Sequence, residues 1–305
     1  MQGFDGRTSA LVSVHFFFYT ALTNTMTEAL AQLIAAHKPS VIGMVHFSPL
    51  DGYPDCPGKA VVLERALFDL RALQQGGVDA IMFENNFDNP KYEKLPARAA
   101  AHFEELISAL APLAKMPWGI AALWNDFELG FRLCAAHGGV LVRVPVFVDS
   151  VETVYGTFYA DPARVRAARA AAGAEQVAIL ADVQVKHARM LEPRPLIDSV
   201  NAAADAGADG IIITGQWTGD PPAPTDCAAA RAALAGRAAL VTGSGMTRDN
   251  VNNFALHLDA MIVGTEFKAG IVGAAEASHV GPNIVEQEIR YDVARIAAFM
   301  ESLRS

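Results

Sequence analysis

Cysteine is scarce in this chain: Cys56, Cys134 and Cys227 stand far apart and never form a CxxC pair. That excludes a disulfide framework and a zinc site built on paired cysteines. It fits a reducing compartment, so a cytoplasmic location is expected. Charge is also thin, at 19% of residues, and the balance is acidic, with 24 Lys and Arg against 33 Asp and Glu for a net −9. No Lys/Arg run occurs, so neither a nucleic-acid face nor an electrostatic membrane anchor is expected. Long apolar runs are missing too. The stretch Leu11–Leu22 falls short of the ~20 residues a bilayer span needs. Only Arg7 precedes it and no small-x-small cleavage site follows, which argues against a signal peptide. Translation starting at Met26 is the plainer expectation, leaving residues 1–25 as a dispensable or poorly ordered extension.

What is present is apolar: 52% of residues are hydrophobic, enough for a large core. From Val41 onward one rhythm repeats, a short apolar run, a polar tip and an Ala/Leu-rich stretch. The runs are Val41–His46, Ala80–Glu84, Trp118–Trp124, Val140–Val146, Val177–Asp182, Gly210–Thr214, Ala239–Thr242 and Ala260–Val263. Near-continuous apolar runs mark strands covered on both faces, as in parallel sheets. Helical patterns lie between them at Ala60–Gln75, Arg98–Leu113, Phe127–His137, Pro162–Ala172, Leu196–Ala206, Thr225–Ala235, Arg248–Leu256 and Ile289–Leu303, and a short amphipathic helix, Met26–Ala36, precedes the first strand. Gly76-Gly77, Gly138-Gly139, Gly173 and Gly207 supply helix stops. Eight βα units without interruption predict one α/β domain over 26–305, a closed (β/α)8 barrel. The rival open sheet would carry a GxGxxG turn after its first strand, where Phe47-Ser-Pro-Leu-Asp-Gly52 stands instead.

In such a barrel chemistry collects where the strands end. Seven of the eight tips carry ionisable or amide groups, more than helix capping alone would place on one rim. The fifth, Asp182-Val-Gln-Val-Lys-His187, is the densest. Glu84, Asp126, Asp182 and Lys186 are the candidate catalytic groups. Lys186 could exchange protons, form a Schiff base or hold an anion. His46, Asn85, Asn125, Arg143, His187, Thr214, Gly215 and Thr218 are candidate substrate-binding residues. Arg143 could equally be a structural partner of Glu84 or Asp182. Gly243-Ser244-Gly245 before Thr247, with Gly264-Thr265, offers backbone N–H groups at a helix start, a pattern suited to phosphate. Tight turns without a ligand would read the same way. Glu84, Asp126, Asp182, His46 and His187 could converge on a divalent metal, although none shows ligand spacing. No organic cofactor is indicated. Phe147–Tyr159, rich in aromatics, is expected to be a lid or a partner patch.

These tips resemble the BtpA/SgcQ family. The likeness rests on Val41-Ile-Gly-Met-Val-His46, Gly77-Val-Asp-Ala-Ile-Met-Phe-Glu-Asn85, Asn125-Asp126, Leu180-Ala-Asp-Val-Gln-Val-Lys-His-Ala188, Thr214-Gly-Gln-Trp-Thr-Gly219, Gly243-Ser-Gly-Met-Thr247 and Gly264-Thr-Glu-Phe-Lys268. Gln184 stands where many relatives would have His. The resemblance implies a branch of the ribulose-phosphate-binding barrels, which include isomerases, epimerases, lyases and synthases. Two functions are therefore expected to compete. One is an enzyme acting on a small phosphorylated metabolite, a phosphosugar or nucleoside-like compound, in carbohydrate metabolism. The other is a non-catalytic assembly or stability factor of the kind linked to photosystem I biogenesis. A homo-oligomer is compatible with either.

Overall fold

In the computed structural model, residues 26–215, 217, 219–269 and 289–304 are described. The extension 1–25 and the candidate residue Thr218 lie outside them. The elements run α1 (Glu28–Ala36), β1 (Ser40–His46), α2 (Lys59–Gly76), β2 (Ala80–Glu84), α3 (Ala97–Leu110), β3 (Trp118–Ala121), α4 (Phe127–His137) and β4 (Leu141–Val144). They continue β5 (Val151–Thr153), β6 (Gly156–Phe158), α5 (Pro162–Ala171), β7 (Ala178–Asp182), β8 (Arg189–Met190), α6 (Leu196–Asp205) and β9 (Gly210–Ile213). The last are α7 (Pro224–Leu234), β10 (Ala239–Thr242), β11 (Ala260–Val263) and α8 (Val293–Arg304). Eight parallel strands close in the order β1-β11-β10-β9-β7-β4-β3-β2, the expected (β/α)8 barrel.

Strand parity divides the core in two. Inward positions such as Ile42, Met44, Met82, Leu180, Ile212 and Ile262 fill the barrel interior. Their alternates, among them Val41, Val45, Phe83 and Ile211, pack under the helices with Leu73, Phe103 and Phe131. Helix α1 belongs to the interior: Leu30, Leu33 and Ile34 plug the N-terminal end of the barrel. Three aspartates placed just before strands lock that end. Asp79 accepts from the N–H of Val41, Asp209 from Ile179 and Thr27, and Asp259 from Leu240, all at 2.7–3.0 Å.

One expectation needs correction. Arg248–Leu256 is not a helix; only a single 3₁₀ turn, Val251–Asn253, forms there. The Asn250 amide folds back, its Nδ2 donating to Gly245 O and its Oδ1 accepting from Thr247 N, and Asn and Asp crowd the segment. Such side chains compete with the helical backbone. Directly after β11 the chain makes the 3₁₀ turn Thr265–Phe267. The aromatic stretch after β4 contains a hairpin, β5–β6, joined by β8 into a small antiparallel sheet. Trp124 lies 5.9 Å from Phe158 and 6.1 Å from Tyr155, while Val151 and Phe158 are buried beside Val146 and Val185.

Candidate active site

One step beyond the apolar interior, the same inward parity brings up His46, Glu84, Arg143, Asp182, Thr214, Gly243 and Gly264. These residues form the top layer of the barrel. Arg143 is buried and makes a fork on Asp182, with Nε to Oδ1 at 2.9 Å and an Nη to Oδ2 at 2.7 Å. Its other Nη reaches Glu84 Oε1 at 3.4 Å, and His46 Nε2 meets Glu84 Oε2 at 3.3 Å. Burial alone would raise the Glu84 carboxyl. The His46 hydrogen bond and the charges of His46, Arg143 and Lys186 outweigh it and bring the group down to about 2. For Arg143 burial works against the charge, but Asp182 and Glu84 push the guanidinium above its ordinary value.

Loops add charge around this layer. His187, in the left-handed region at φ 60°, has its ring centroid 5.5 Å from that of Trp217. Burial first, then the charges of Lys186 and Lys91, lower it to about 4, with Asp220 opposing. Lys91, which the sequence patterns did not single out, is 5% exposed in the loop after β2. Its Nζ donates to Asn86 O at 2.6 Å and Asp88 O at 2.8 Å. Burial brings it to about 8 against the pull of Asp88 and Glu84. Asp88, buried beside it, is raised by that burial to about 6 although Leu50 N and Asn85 Nδ2 donate to it. The signal for Lys91 was present as a charged loop, Asn86-Phe-Asp-Asn-Pro-Lys91, directly after an inward Glu.

The other candidates make contacts within the scaffold. Asn85 holds Leu123 through its amide, donating to Leu123 O and accepting from Leu123 N. Asn125 does the same to Val146. Asp126 caps α4 through Leu129 N and holds Leu95 N, and burial raises its carboxyl. Gln184 turns away, donating to Arg194 O. The glycine turns fit the chain itself. A side-chain carbon at Gly264 would lie 2.9 Å from His46, and one at Gly245, whose φ is +75°, would lie 2.1 Å from Pro221 N. Ser244 Oγ donates to Asp220 O. Gly215 backs onto the same Asp220, 2.5 Å from a would-be carbon. Thr214 lies beside Gly243, its Oγ1 buried and without a hydrogen-bond partner among the described residues. Among the described residues, no three His, Cys, Asp or Glu side chains come together as a metal-holding group.

Comparison with known proteins follows this geometry. The BtpA family model matches residues 37–285. The photosystem I biogenesis protein BtpA of Synechocystis is 35% identical over 243 residues, 78% of this chain and 83% of that protein. The putative sgc region protein SgcQ of Escherichia coli is 26% identical over 280 residues, 90% and 97% of the two chains. Among solved structures, a tryptophan synthase structure from Mycobacterium tuberculosis aligns with a TM-score of 0.58 at 16% identity, covering 92% of this chain and 99% of that one. That likeness concerns the fold alone. The matches in sequence, over most of both chains, establish the lineage: this chain belongs to the BtpA family.

Proposed function

We propose that this barrel is an enzyme acting on a small phosphorylated metabolite, by a reaction of the isomerase, epimerase, lyase or glycosidic-cleavage type. The observation that carries the reading is the buried His46–Glu84–Arg143–Asp182 network at the strand ends. A network of buried charges is a poor source of stability, because desolvation offsets most of the attraction. At a barrel mouth it supports an electrostatic frame for a reaction. In that frame Arg143 is fixed by two carboxylates and orients developing negative charge. Glu84, held ionised, steadies His46. Lys186, near enough to act on Glu84, moves the proton. Supporting the phosphorylated ligand are the lysines around the mouth. No described helix is long and apolar enough to cross a membrane, and the isolated cysteines fit a cytoplasmic setting.

A thermal-shift screen with phosphosugars and nucleoside phosphates tests the binding, since a ligand of the native state raises its melting temperature. On a substrate so found, Lys186→Met and Asp182→Asn are expected to cut turnover by about 100-fold or more. Unchanged turnover in both rejects the assignment. A second reading, an assembly factor, is favoured by the name of the Synechocystis relative and by the hairpin tip, where Val154 is 88% and Tyr159 74% exposed. A co-purifying protein whose binding is lost in Val154→Ser/Tyr159→Ser, with no shift by any phosphorylated ligand, would favour it.

A further inference from the structure

Gly264 is the inward residue just past β11, and its backbone does not require glycine. Its φ is −134°, outside the left-handed region that side chains avoid. Gly245, at φ +75°, is the opposite case. What excludes a side chain at 264 is a neighbour. A carbon there would lie 2.9 Å from His46 Cε1 and 3.6 Å from His46 Nε2, whereas its 3.5 Å contact with Met44 Cβ is ordinary. Carbons pack best at about 3.5–4.0 Å, so the first of these is an overlap. The overlap is with the outer edge of a ring, the part of a side chain that can swing aside.

Closure of the barrel makes the place of that ring matter. β1 lies between β2 and β11, so His46 has a neighbouring strand on each side. Toward β2 it is in register with Glu84, and Nε2 meets Oε2 at 3.3 Å. Phe87, in the loop after β2, meets the ring edge-on, with centroids 6.1 Å apart and planes at 82°. Toward β11 the ring rests against Gly264, and the Nε2 that meets Glu84 is one of the two atoms a carbon at 264 would crowd. Gly243, past β10, is a different case. A carbon there would first meet Ile212 and Thr214, both at 2.7 Å, and would touch Arg143 Nη2 only at 3.7 Å.

We propose that Gly264 is a positioning residue: having no side chain, it seats the His46 ring against Glu84. Its bearing on turnover rests on the reading of this layer as the frame of a reaction. The test is an NMR titration of the His46 ring protons in the full chain, assigned with His46→Ala. The comparison set is wild type, Gly264→Ala, Glu84→Gln, the two changes together, and Gly76→Ala. A carboxylate beside an imidazole favours the charged ring, so Gly264→Ala is expected to lower the midpoint by about half a pH unit or more. Glu84→Gln is expected to lower it at least as far, and the double change no further than Glu84→Gln alone. Gly76→Ala, whose added carbon meets Ile296 of α8, is expected to leave the midpoint in place. An unmoved midpoint in Gly264→Ala overturns the proposal, and so does an equal further fall when Gly264→Ala is added to Glu84→Gln. Should Gly264→Ala fail to fold, His46→Ala is added to it. Recovery of the folded state by circular dichroism then shows that the ring was the obstacle, and no recovery overturns the proposal. On a substrate found by the ligand screen, Gly264→Ala is expected to lower kcat about tenfold or more with little change in KM. A lowered midpoint with kcat unchanged overturns the bearing on turnover. A lowered midpoint in a protein that turns over no phosphorylated compound upholds the seating and overturns the enzyme reading.

Discussion

Arg143 shows how much one residue holds. It sits between two buried carboxylates, and its removal takes the counter-charge from Asp182 and leaves Glu84 with His46. Breaking a buried pair from one side costs about 3–5 kcal/mol. Arg143→Met is expected to lower stability by that order in urea unfolding, and a loss below about 1 kcal/mol would show that the carboxylates find other partners. His187 makes a titration prediction. Burial and the nearby lysines lower it to about 4, against about 6.5 in the unfolded chain. The unfolded state therefore binds the proton first. The contribution of His187 to stability is full above about pH 6.5 and is lost as pH falls through about 4. Its ring-proton NMR shift should titrate near 4, and Lys91→Met should raise that value by removing a like charge. A midpoint near 6.5 in wild type would contradict the positive surroundings.

At the scale of elements, the two ends of each strand do different work. Asp79, Asp209 and Asp259 recur in one local pattern, Val-Asp79-Ala, Ala-Asp209-Gly and Leu-Asp259-Ala, at the lower end. Each takes a backbone N–H of the neighbouring strand, and Arg169, Arg231 and Arg304 pair with Asp209, Asp259 and Asp79. Asp209→Ala leaves the amides of Ile179 and Thr27 unmet, at roughly 1–3 kcal/mol for each buried group. A lower denaturation midpoint with an unchanged slope is the expected outcome. At the upper end the strands were shorter than their apolar runs. Trp118–Trp124 stops at Ala121 because Asn85 ties the next residues to β2 instead of to a ladder. The expected lid proved to be a hairpin anchored on Trp124, because its alternating Val151 and Phe158 found an apolar face to cover.

For the whole molecule, closure depends on the last helix. Ile296, Phe299 and Met300 of α8 are buried, and Ile296 lies against Gly76 of α2, where a side-chain carbon would come within 2.2 Å. Three such side chains bury about 1.5–3 kcal/mol each, comparable to the 5–15 kcal/mol of a typical domain. A chain ending before residue 289 is expected to lose its cooperative urea transition. Retention of a native-like transition would mean that the barrel closes without α8.

The sequence by itself determined the barrel. Apolar runs spaced by helical patterns leave a parallel sheet as the way to cover both faces of every strand, and strand parity then decides that Glu84, Arg143 and Asp182 point inward. Their local signals suffice because each depends only on its own strand. Tertiary structure decided what those residues meet. That Asp126 holds Leu95 as well as its own helix, that Gly245 lies against Pro221 and that Lys91 is buried all depend on segments from different parts of the fold meeting in space. No residue-by-residue pattern encodes those meetings, because they are contacts between segments far apart in the chain.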